Sequence, residues 1–432
     1  MVPFWCAADA GPTLRAPFLS PEALDRLVRR RASWMIRAAG KTAFYRARLA
    51  AVGVDLRDPR IGRDPWSVLA ALAPVGKAEL RQAGTAVLRG GRARRRWYSS
   101  TSSGSTGEPF RVYYDERAWA TLKYLVKIRS RLACGLRPTD RVAVLDAVPA
   151  GATRMPIERS GRVRRISVLQ PGADVAAAMI AFAPDVVYGL PSALLEAGSA
   201  LRSRGAPLGI RAVFTGGELL PDSIRAALAG AFGAPVFDVY GTSETKEIAW
   251  ECPQGGMHVN ADVVHLEVLD DAGEGVPDGV EGELVASVLV NRAMPLLRYR
   301  LGDRGRLRMR GCACGRALPL LGVVTGREAD TLVLAGGRRI SPYALTCALE
   351  QVGELLRYQV TQLGASRLQV RAILEPSASR AVAATRVRHA LRENVASFLE
   401  ADVEFVDRLP TGPGGLDRGR CLVDSRRGRT VS

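Results

Sequence analysis

Between residues 141 and 239 the sequence keeps changing its apolar period, and this alternation restricts the fold more than any other feature. Short apolar runs at 141–145, 164–169, 186–188, 210–214 and 236–239 suit buried strands, whereas 173–182 and 192–204 space their apolar residues as helices do. Strand alternating with helix marks a layered α/β domain with parallel strands. In such sheets ligands sit beyond the carboxyl ends of the strands. Three polar clusters follow strands here: Thr215-Gly216-Gly217-Glu218, Tyr240-Gly241-Thr242-Ser243-Glu244, and Arg298-Tyr299-Arg300-Leu301-Gly302-Asp303 after a predicted strand at 282–287. Each alone is compatible with an ordinary turn. Together they offer two glycine-lined walls that would admit a flat ring, one carboxylate for ribose hydroxyls and another for magnesium.

A second constraint precedes this stretch. The nine residues from Ser99 to Gly107 comprise seven serines and threonines and two glycines, a run that cannot fill a core. Small residues let the backbone bend closely around a ligand, and hydroxyls with exposed N–H groups are the donors a polyphosphate needs. The Gly-x4-Gly-Lys-Ser/Thr spacing of a Walker loop is absent, and Glu108 stands where a lysine would help. A flexible Ser/Gly linker is the competing reading. Trp97-Tyr98 before the run and the alternating Phe110-Arg111-Val112-Tyr113-Tyr114 after it read as strands, so a tight connection inside a folded domain is expected.

The remainder reads as follows. Residues 20–90 are mostly helical, beginning at the Ser20 cap, and 116–132 forms an amphipathic helix. Beyond Thr325 the texture changes to strands at 331–334, 358–363 and 369–374 with helices at 343–352 and 381–399. The expected domains are therefore 1–326 and a small α+β unit, 327–432, as the length of 432 residues allows. No apolar run reaches the roughly 18 residues of a membrane span, and the start MVPFWCAADAGPTLRAPF lacks the basic and apolar blocks of a signal peptide, so a cytoplasmic protein without a membrane partner is expected. The net charge of +18 comes from arginine, since only five lysines occur (41, 77, 123, 127 and 246). The arginines are scattered and no basic motif is interleaved with aromatics, so nucleic acid is not expected. The charge favours an anionic ligand or reflects a GC-rich genome.

Seven cysteines, an odd number in a long chain, suit thiols or a metal rather than a disulfide framework. Cys252-x5-His258 and Cys312-x-Cys314 are two pairs of soft ligands, and a Cys3His set suits a closed, tetrahedral, structural zinc site. The alternative is four unrelated side chains, since Cys6, Cys134, Cys347 and Cys421 occur singly. His265 reads as a plain strand residue.

In this order, "SSGSTGEP", "TGGELLPDSIR", "VYGTSETKEIAWEC", "GELVASVL", "RYRLGDRGRL" and "GREADTLVLAGGRRISP" resemble the adenylate-forming ligase superfamily, and most closely the phenylacetate-CoA ligase group, over nearly the whole chain. The resemblance implies a large N-terminal domain, a mobile C-terminal domain and ATP bound between them. A carboxylate would attack the α-phosphate to give an acyl-adenylate and pyrophosphate, and a nucleophile, usually the CoA thiol, would then displace AMP. On the matching positions, Ser103, Gly104, Ser105, Thr106 and Gly107 would hold the triphosphate. Gly216, Gly217, Glu218, Tyr240 and Gly241 would pack the adenine. Thr242 would lie near the α-phosphate, Glu244 on magnesium, Asp303 on the ribose and Arg327 at the domain junction. Members of the group often carry the Cys3His constellation too. Two positions depart from the pattern: Leu416 stands where the family's terminal loop carries lysine, with Arg418 and Arg420 nearby, and Ala329 stands at the hinge in place of Asp or Lys.

The first functional expectation is an enzyme that activates a small aromatic acid as its adenylate and passes the acyl group to CoA or an amine. The aryl preference comes from the resemblance. Asp146-Ala147-Val148, Tyr188-Gly189-Leu190-Pro191 and Gly216 would wall the acid pocket, with Tyr188 either core or pocket. A transfer-only enzyme that receives a preformed acyl-adenylate, an amide-forming ligase and a catalytically silent adenylate-binding scaffold are the alternatives. Retention of Glu244, Asp303, Arg327 and the Ser/Thr loop speaks against the scaffold. A homodimer is left open.

Overall fold

The computed structural model describes residues 7–102, 110–146, 158, 160–168, 170, 172–205, 208–309, 311–322, 324, 326–327, 332–335, 339–340, 345, 348–349, 351–409 and 423–424. By internal contacts the chain forms two compact units, Met1–Leu136 with Val239–Val324, and Arg137–Asp238 with Thr325–Ser432. No helix among the described residues is long and apolar enough to cross a membrane.

The first unit begins with helices α1 (Ala7–Arg15), α2 (Pro21–Ala39), α3 (Ala43–Ala51), α4 (Arg60–Arg63), α5 (Pro65–Ala71) and α6 (Lys77–Ala83). Ser20 caps α2 by accepting from Ala23 N, with Pro21 at the first helical position where its missing N–H costs nothing. Strands β1 (Tyr98–Ser102) and β2 (Phe110–Tyr114) pair antiparallel, Tyr98 opposite Tyr114 and Ser102 opposite Phe110. The helix expected at 116–132 is not continuous. α7 (Glu116–Ala120) passes through a π turn, Thr121–Leu125, into α8 (Val126–Ala133). The wider turn re-phases the helix and keeps Thr121, Leu122 and Leu125 buried.

The sheet of this unit is antiparallel. Its strands are the end of β7 (Val236–Thr242), then β8 (Lys246–Glu251), β9 (Met257–Val259), β10 (Val264–Leu269), β11 (Glu281–Val288), β12 (Tyr299–Arg308) and β13 (Leu320–Leu321), in the order β10-β11-β12-β13-β9-β8-β7. Two expected loops are therefore strands: Tyr240-Gly241-Thr242 completes β7, and Tyr299 to Asp303 opens β12. The register between β11 and β12 slips from Val285↔Arg300 to Glu283↔Arg304, and Gly302 at φ +78° takes up the bulge. One apolar core contains Tyr114, Leu122, Ile248, Leu284 and Tyr299; another joins the N-terminal helices to Leu289, Leu297 and Leu318.

In the second unit, β3 (Val142–Asp146), β4 (Val163–Ser167), β5 (Val186–Gly189) and β6 (Ala212–Gly216) are parallel, in the order β4-β3-β5-β6. They alternate with α9 (Gly172–Phe182), α10 (Pro191–Ser203) and α11 (Asp222–Phe232), whose apolar faces fill one core with Val187, Val213 and Met179. This is the predicted layered α/β pattern. The C-terminal part has its own core around Leu332, Tyr358, Val370 and Leu391. There Leu355–Gln362 pairs antiparallel with Arg367–Leu374, which pairs parallel with Glu400–Phe405. The helix expected at 381–399 is Arg380–Asn394, and the chain after it turns into that edge strand. Part of the helix expected at 343–352 lies outside the described residues.

Candidate active site and cysteine-histidine cluster

The β7–β8 hairpin builds the acidic centre of the first unit. Thr242 pairs with Lys246, and a Cβ at Gly241 would stand 2.2 Å from the Lys246 carbonyl oxygen, so only glycine fits. Lys246 itself sits at φ +66°, an uncommon conformation for a side chain with a Cβ. Between them, the Thr242 hydroxyl accepts from the backbone N–H of Glu244 (3.2 Å) and Thr245 (3.1 Å), a local turn that fixes where Glu244 points. The Glu244 carboxylate is buried, with Lys77 Nζ 2.9 Å from Oε1 and the Tyr299 hydroxyl 3.4 Å from the same oxygen. Tyr114 donates to the Glu244 carbonyl at 2.7 Å. Burial would raise the carboxyl, but the Lys77 ammonium outweighs it and holds Glu244 below the usual range, hence ionised. Burial and the Glu244 charge push Tyr114 and Tyr299 upward, so both remain neutral donors.

Asp303 closes the arrangement. It is buried, and the Tyr240 hydroxyl donates to its Oδ2 at 2.7 Å. Tyr240 and Glu244 come from the hairpin, while Tyr299 and Asp303 come from β12, so two cross-strand bonds lock two carboxylates into one region. The structure thus brings together Tyr240, Gly241, Thr242, Glu244 and Asp303. It adds residues the sequence reading missed: Lys77, Tyr114, Tyr299 and Lys246. Lys246 Nζ donates to the Ser243 carbonyl (2.7 Å) and lies over the Tyr114 and Trp119 rings. Burial, then the charges of Lys123 and Lys127, push it down to about 7, with Glu244 opposing. Four of the chain's five lysines gather here. That was the available signal, since a chain that otherwise spends arginine had placed its few compact ammoniums selectively.

In the second unit, Asp146, Tyr188, Gly189 and Gly216 lie at the carboxyl ends of β3, β5 and β6. Tyr188 is half-buried. Gly189 is accounted for by packing, because a Cβ there would approach Leu145 Cβ to 3.0 Å. Gly217 takes φ +90°, and the Glu218 carboxylate accepts from Ser192 N (3.0 Å) and Oγ (2.9 Å). Glu218 therefore caps the start of α10 in addition to any role at a ligand. Arg327 lies on the short strand Gly326–Arg327. Ser103, Gly104, Ser105, Thr106, Gly107, Ala147, Ala329, Leu416, Arg418 and Arg420 lie outside the described residues.

At the far end of β8, the ligand atoms of Cys252, His258, Cys312 and Cys314 all lie within 4.8 Å of one another. Cys252 Sγ is 3.5 Å from Cys312 Sγ, and His258 Nε2 is 3.0 Å from Cys314 Sγ. Tight turns make the set: Cys252 N donates to Gly256 O (2.9 Å), Gly255 N donates to Cys252 O (2.8 Å), and Gly315 N points back at Cys312 O (3.4 Å). A Cβ at Gly256 would stand 2.7 Å from Cys312 Sγ. Burial pushes His258 down to about 4, leaving the neutral imidazole that ligation requires. Its Nδ1 is buried with no hydrogen-bond partner among the described residues, although the nearby Leu318 backbone favours its protonation. His265 stacks on Trp66 at 4.2 Å, away from this set.

Residues 98–288 match the family of AMP-binding enzymes. The phenylacetate-coenzyme A ligase of Thermus thermophilus is 28% identical over 369 residues, 76% of this chain and 80% of that protein. A 2-hydroxyisobutyryl-CoA ligase, solved in the postadenylation state with 2-HIB-AMP, superposes with a TM-score of 0.78 at 20% identity, over 95% of this chain and 92% of that one. The amide bond synthetase McbA from Marinactinospora thermotolerans superposes with a TM-score of 0.53 at 19% identity, over 73% of this chain and 66% of that one. The fold is shared with these ligases, and residues 98–288 carry the match to AMP-binding enzymes. In sequence the chain is similar to phenylacetate-CoA ligases.

Proposed function

We propose that the protein activates an aromatic carboxylic acid with ATP as an acyl-adenylate and then transfers the acyl group to CoA or to an amine. The observation that carries this reading is the pair of buried carboxylates, Glu244 and Asp303, locked across two strands by Tyr299 and Tyr240. In-line attack on an α-phosphate needs oriented donors and charge neutralisation more than a protein base. Glu244 fits magnesium, since it is ionised and such ions are held by one or two carboxylates plus substrate phosphates. When bound, the ion would neutralise phosphate charge. Asp303 would take the ribose hydroxyls, Ser103 to Gly107 the triphosphate and Thr242 the α-phosphate side. Tyr240, with Gly216, Gly217, Glu218 and Gly241, would border the adenine, and Arg327 would act at the junction. The preference for an aryl acid is supported by the name of the Thermus relative, and Asp146, Ala147, Tyr188 and Gly189, at or just beyond the carboxyl ends of parallel strands, would border the acid. The cysteine-histidine set fits zinc in chemistry and spacing. Cys252, His258, Cys312 and Cys314 would hold it as a structural ion.

Leu416 favours a second reading in which adenylation is slow or absent and the protein runs only the transfer of a preformed acyl-adenylate, to an amine as in the amide bond synthetase named above. Pyrophosphate release with a panel of benzoate-like acids, with and without CoA or arylamines, separates the two. Acid-dependent release supports the full ligase. Consumption of synthetic acyl-AMP without release by any acid establishes the transfer-only enzyme, and neither reaction overturns both.

A further inference from the structure

Arg298 stands one residue before Tyr299 and takes no part in the bonds described at the two carboxylates. It is buried, and its backbone holds φ +46°, a conformation that a residue with a Cβ keeps only where its surroundings impose it. The restraints are local and specific. Arg298 N donates to Ser287 Oγ at 2.9 Å, and on the preceding residue Leu297 N donates to the Tyr45 hydroxyl at 3.0 Å. The guanidinium reaches the end of α5: Nη1 donates to the carbonyls of Ala70 (2.8 Å) and Leu72 (2.7 Å), while Nε lies 3.2 Å from Glu267 Oε1. The last carbonyls of a helix have no partner within it, so a cation placed there caps the end. Glu267 supplies the countercharge that a buried guanidinium needs.

The backbone of the same residue holds the chain that follows α5. Arg298 O accepts from Val75 N at 2.8 Å and Arg300 N donates to Val75 O at 2.9 Å, so Val75 forms a parallel bridge with Tyr299. Two residues later Lys77 opens α6, with its Nζ 2.9 Å from Glu244 Oε1, the oxygen that the Tyr299 hydroxyl approaches at 3.4 Å. One residue therefore fixes where α5 ends, through its side chain, and where α6 begins, through its backbone.

We propose that Arg298 is a positioning residue of the active site, which clamps the connection between α5 and α6 so that the Lys77 ammonium is held at Glu244. The proposal rests on the reading of Glu244 as part of an adenylate-forming site. It extends that site to a segment outside the stretch matched to AMP-binding enzymes. Glu244 keeps its place through the hairpin turn made by Thr242, whereas its cationic partner arrives on a short connection tied to β12 at Val75. Arg298 decides whether the two charges meet. Lysine is not an equivalent here, because a shorter stem ending in one ammonium lacks the fork that reaches two carbonyls and a carboxylate together.

The test is a double-mutant cycle in the full chain, read by pyrophosphate release from ATP with a benzoate-like acid and, separately, by backbone hydrogen exchange. Arg298→Lys should lower kcat at least about tenfold, with little change in KM for the acid, as expected when a group near the chemistry is displaced. In the Lys77→Met background the same substitution should cost less than about twofold, because a residue that acts through Lys77 then has nothing left to position. Equal factors in the two backgrounds overturn the proposal, since a residue that only supports the fold lowers activity whether or not Lys77 is present. Amide exchange at 72–77 should quicken at least about tenfold in Arg298→Lys while 24–36 in α2 keeps its rate. Unchanged exchange at 72–77, or an equal rise in α2, also overturns it. Should Arg298→Lys fail to fold, Glu267→Gln removes the countercharge and leaves the carbonyl bonds, and it must show both signatures at smaller size. If wild type releases no pyrophosphate with any acid, the ligase reading fails, and the exchange at 72–77 still decides what Arg298 holds.

Discussion

The two ends of strand β8 hold ionisable groups in opposite ways. Just before it, Glu244 is compensated by the protein itself: Lys77 at 2.9 Å, the Tyr299 hydroxyl, and a backbone turn organised by Thr242. Just after it, Cys252 joins three other soft ligands packed within 4.8 Å, where burial pushes Cys312 up to about 11 and leaves His258 Nδ1 without a proper partner. The first arrangement keeps its geometry while ligands come and go, as turnover demands. The second packs four soft ligand atoms beside the Arg316 guanidinium, which helps to lower Cys314 against burial, and its donor set has the chemistry of a site for a permanent structural ion. Function and stability should therefore separate along one strand.

Cys312→Ser is expected to produce the largest effect. It should abolish stoichiometric zinc in elemental analysis and cost about 3–5 kcal/mol of stability, roughly 10 °C in the melting midpoint. Glu244→Gln should do the reverse, lowering kcat/KM about 10²–10³-fold while moving the midpoint by no more than a few degrees. A stable Cys312→Ser protein beside an unfolded Glu244→Gln protein would invert the contrast and refute it. Lys77→Met sharpens it further. Removing one partner strands a buried charge, so about 1–2 kcal/mol of stability should be lost, and combining Lys77→Met with Glu244→Gln should recover most of that loss in chemical denaturation.

Legibility in the sequence followed the range of the interactions. The parallel strands were readable because each is a short apolar run separated by helical spacing, a local pattern. The antiparallel half was not, since β12 opens with Tyr299-Arg300-Leu301-Gly302-Asp303, whose glycine and charges look like a loop until the bulge opposite β11 explains them. Glu244 and Asp303 were found through polar clusters at apolar boundaries. Lys77 was not, because its pairing with Glu244 joins distant segments and leaves no trace in local pattern. Gly189, read as part of a pocket wall, also has a packing reason that the sequence does not show: a Cβ there would approach Leu145 to 3.0 Å and Leu194 to 3.3 Å. The cysteine-histidine set was legible because two short-range pairs of soft ligands have few other reasons to recur.

The smallest predicted effect serves as a control between the two ends. His265 on β10 stacks on Trp66 and touches neither cluster; burial, with Arg298 nearby, pushes it down to about 4 from the ordinary 6.5. Its neutral form is thus preferred in the folded state. As pH falls from about 6.5 to about 4, the unfolded chain takes a proton that the folded chain refuses. The stabilisation is complete above the upper value and is lost on approach to the lower one, by up to about 3 kcal/mol. Protonation within the cysteine-histidine set, if it holds zinc as proposed, would also destabilise the protein in acid, so the acid limb of wild type mixes two causes. His265→Phe keeps a ring against Trp66 and removes one of them. Denaturation of the variant at pH 7 and pH 5 should show a shallower loss than wild type, and the remainder should vanish in Cys312→Ser. An unchanged acid slope in His265→Phe would assign the whole effect to other groups, the cysteine-histidine cluster first among them.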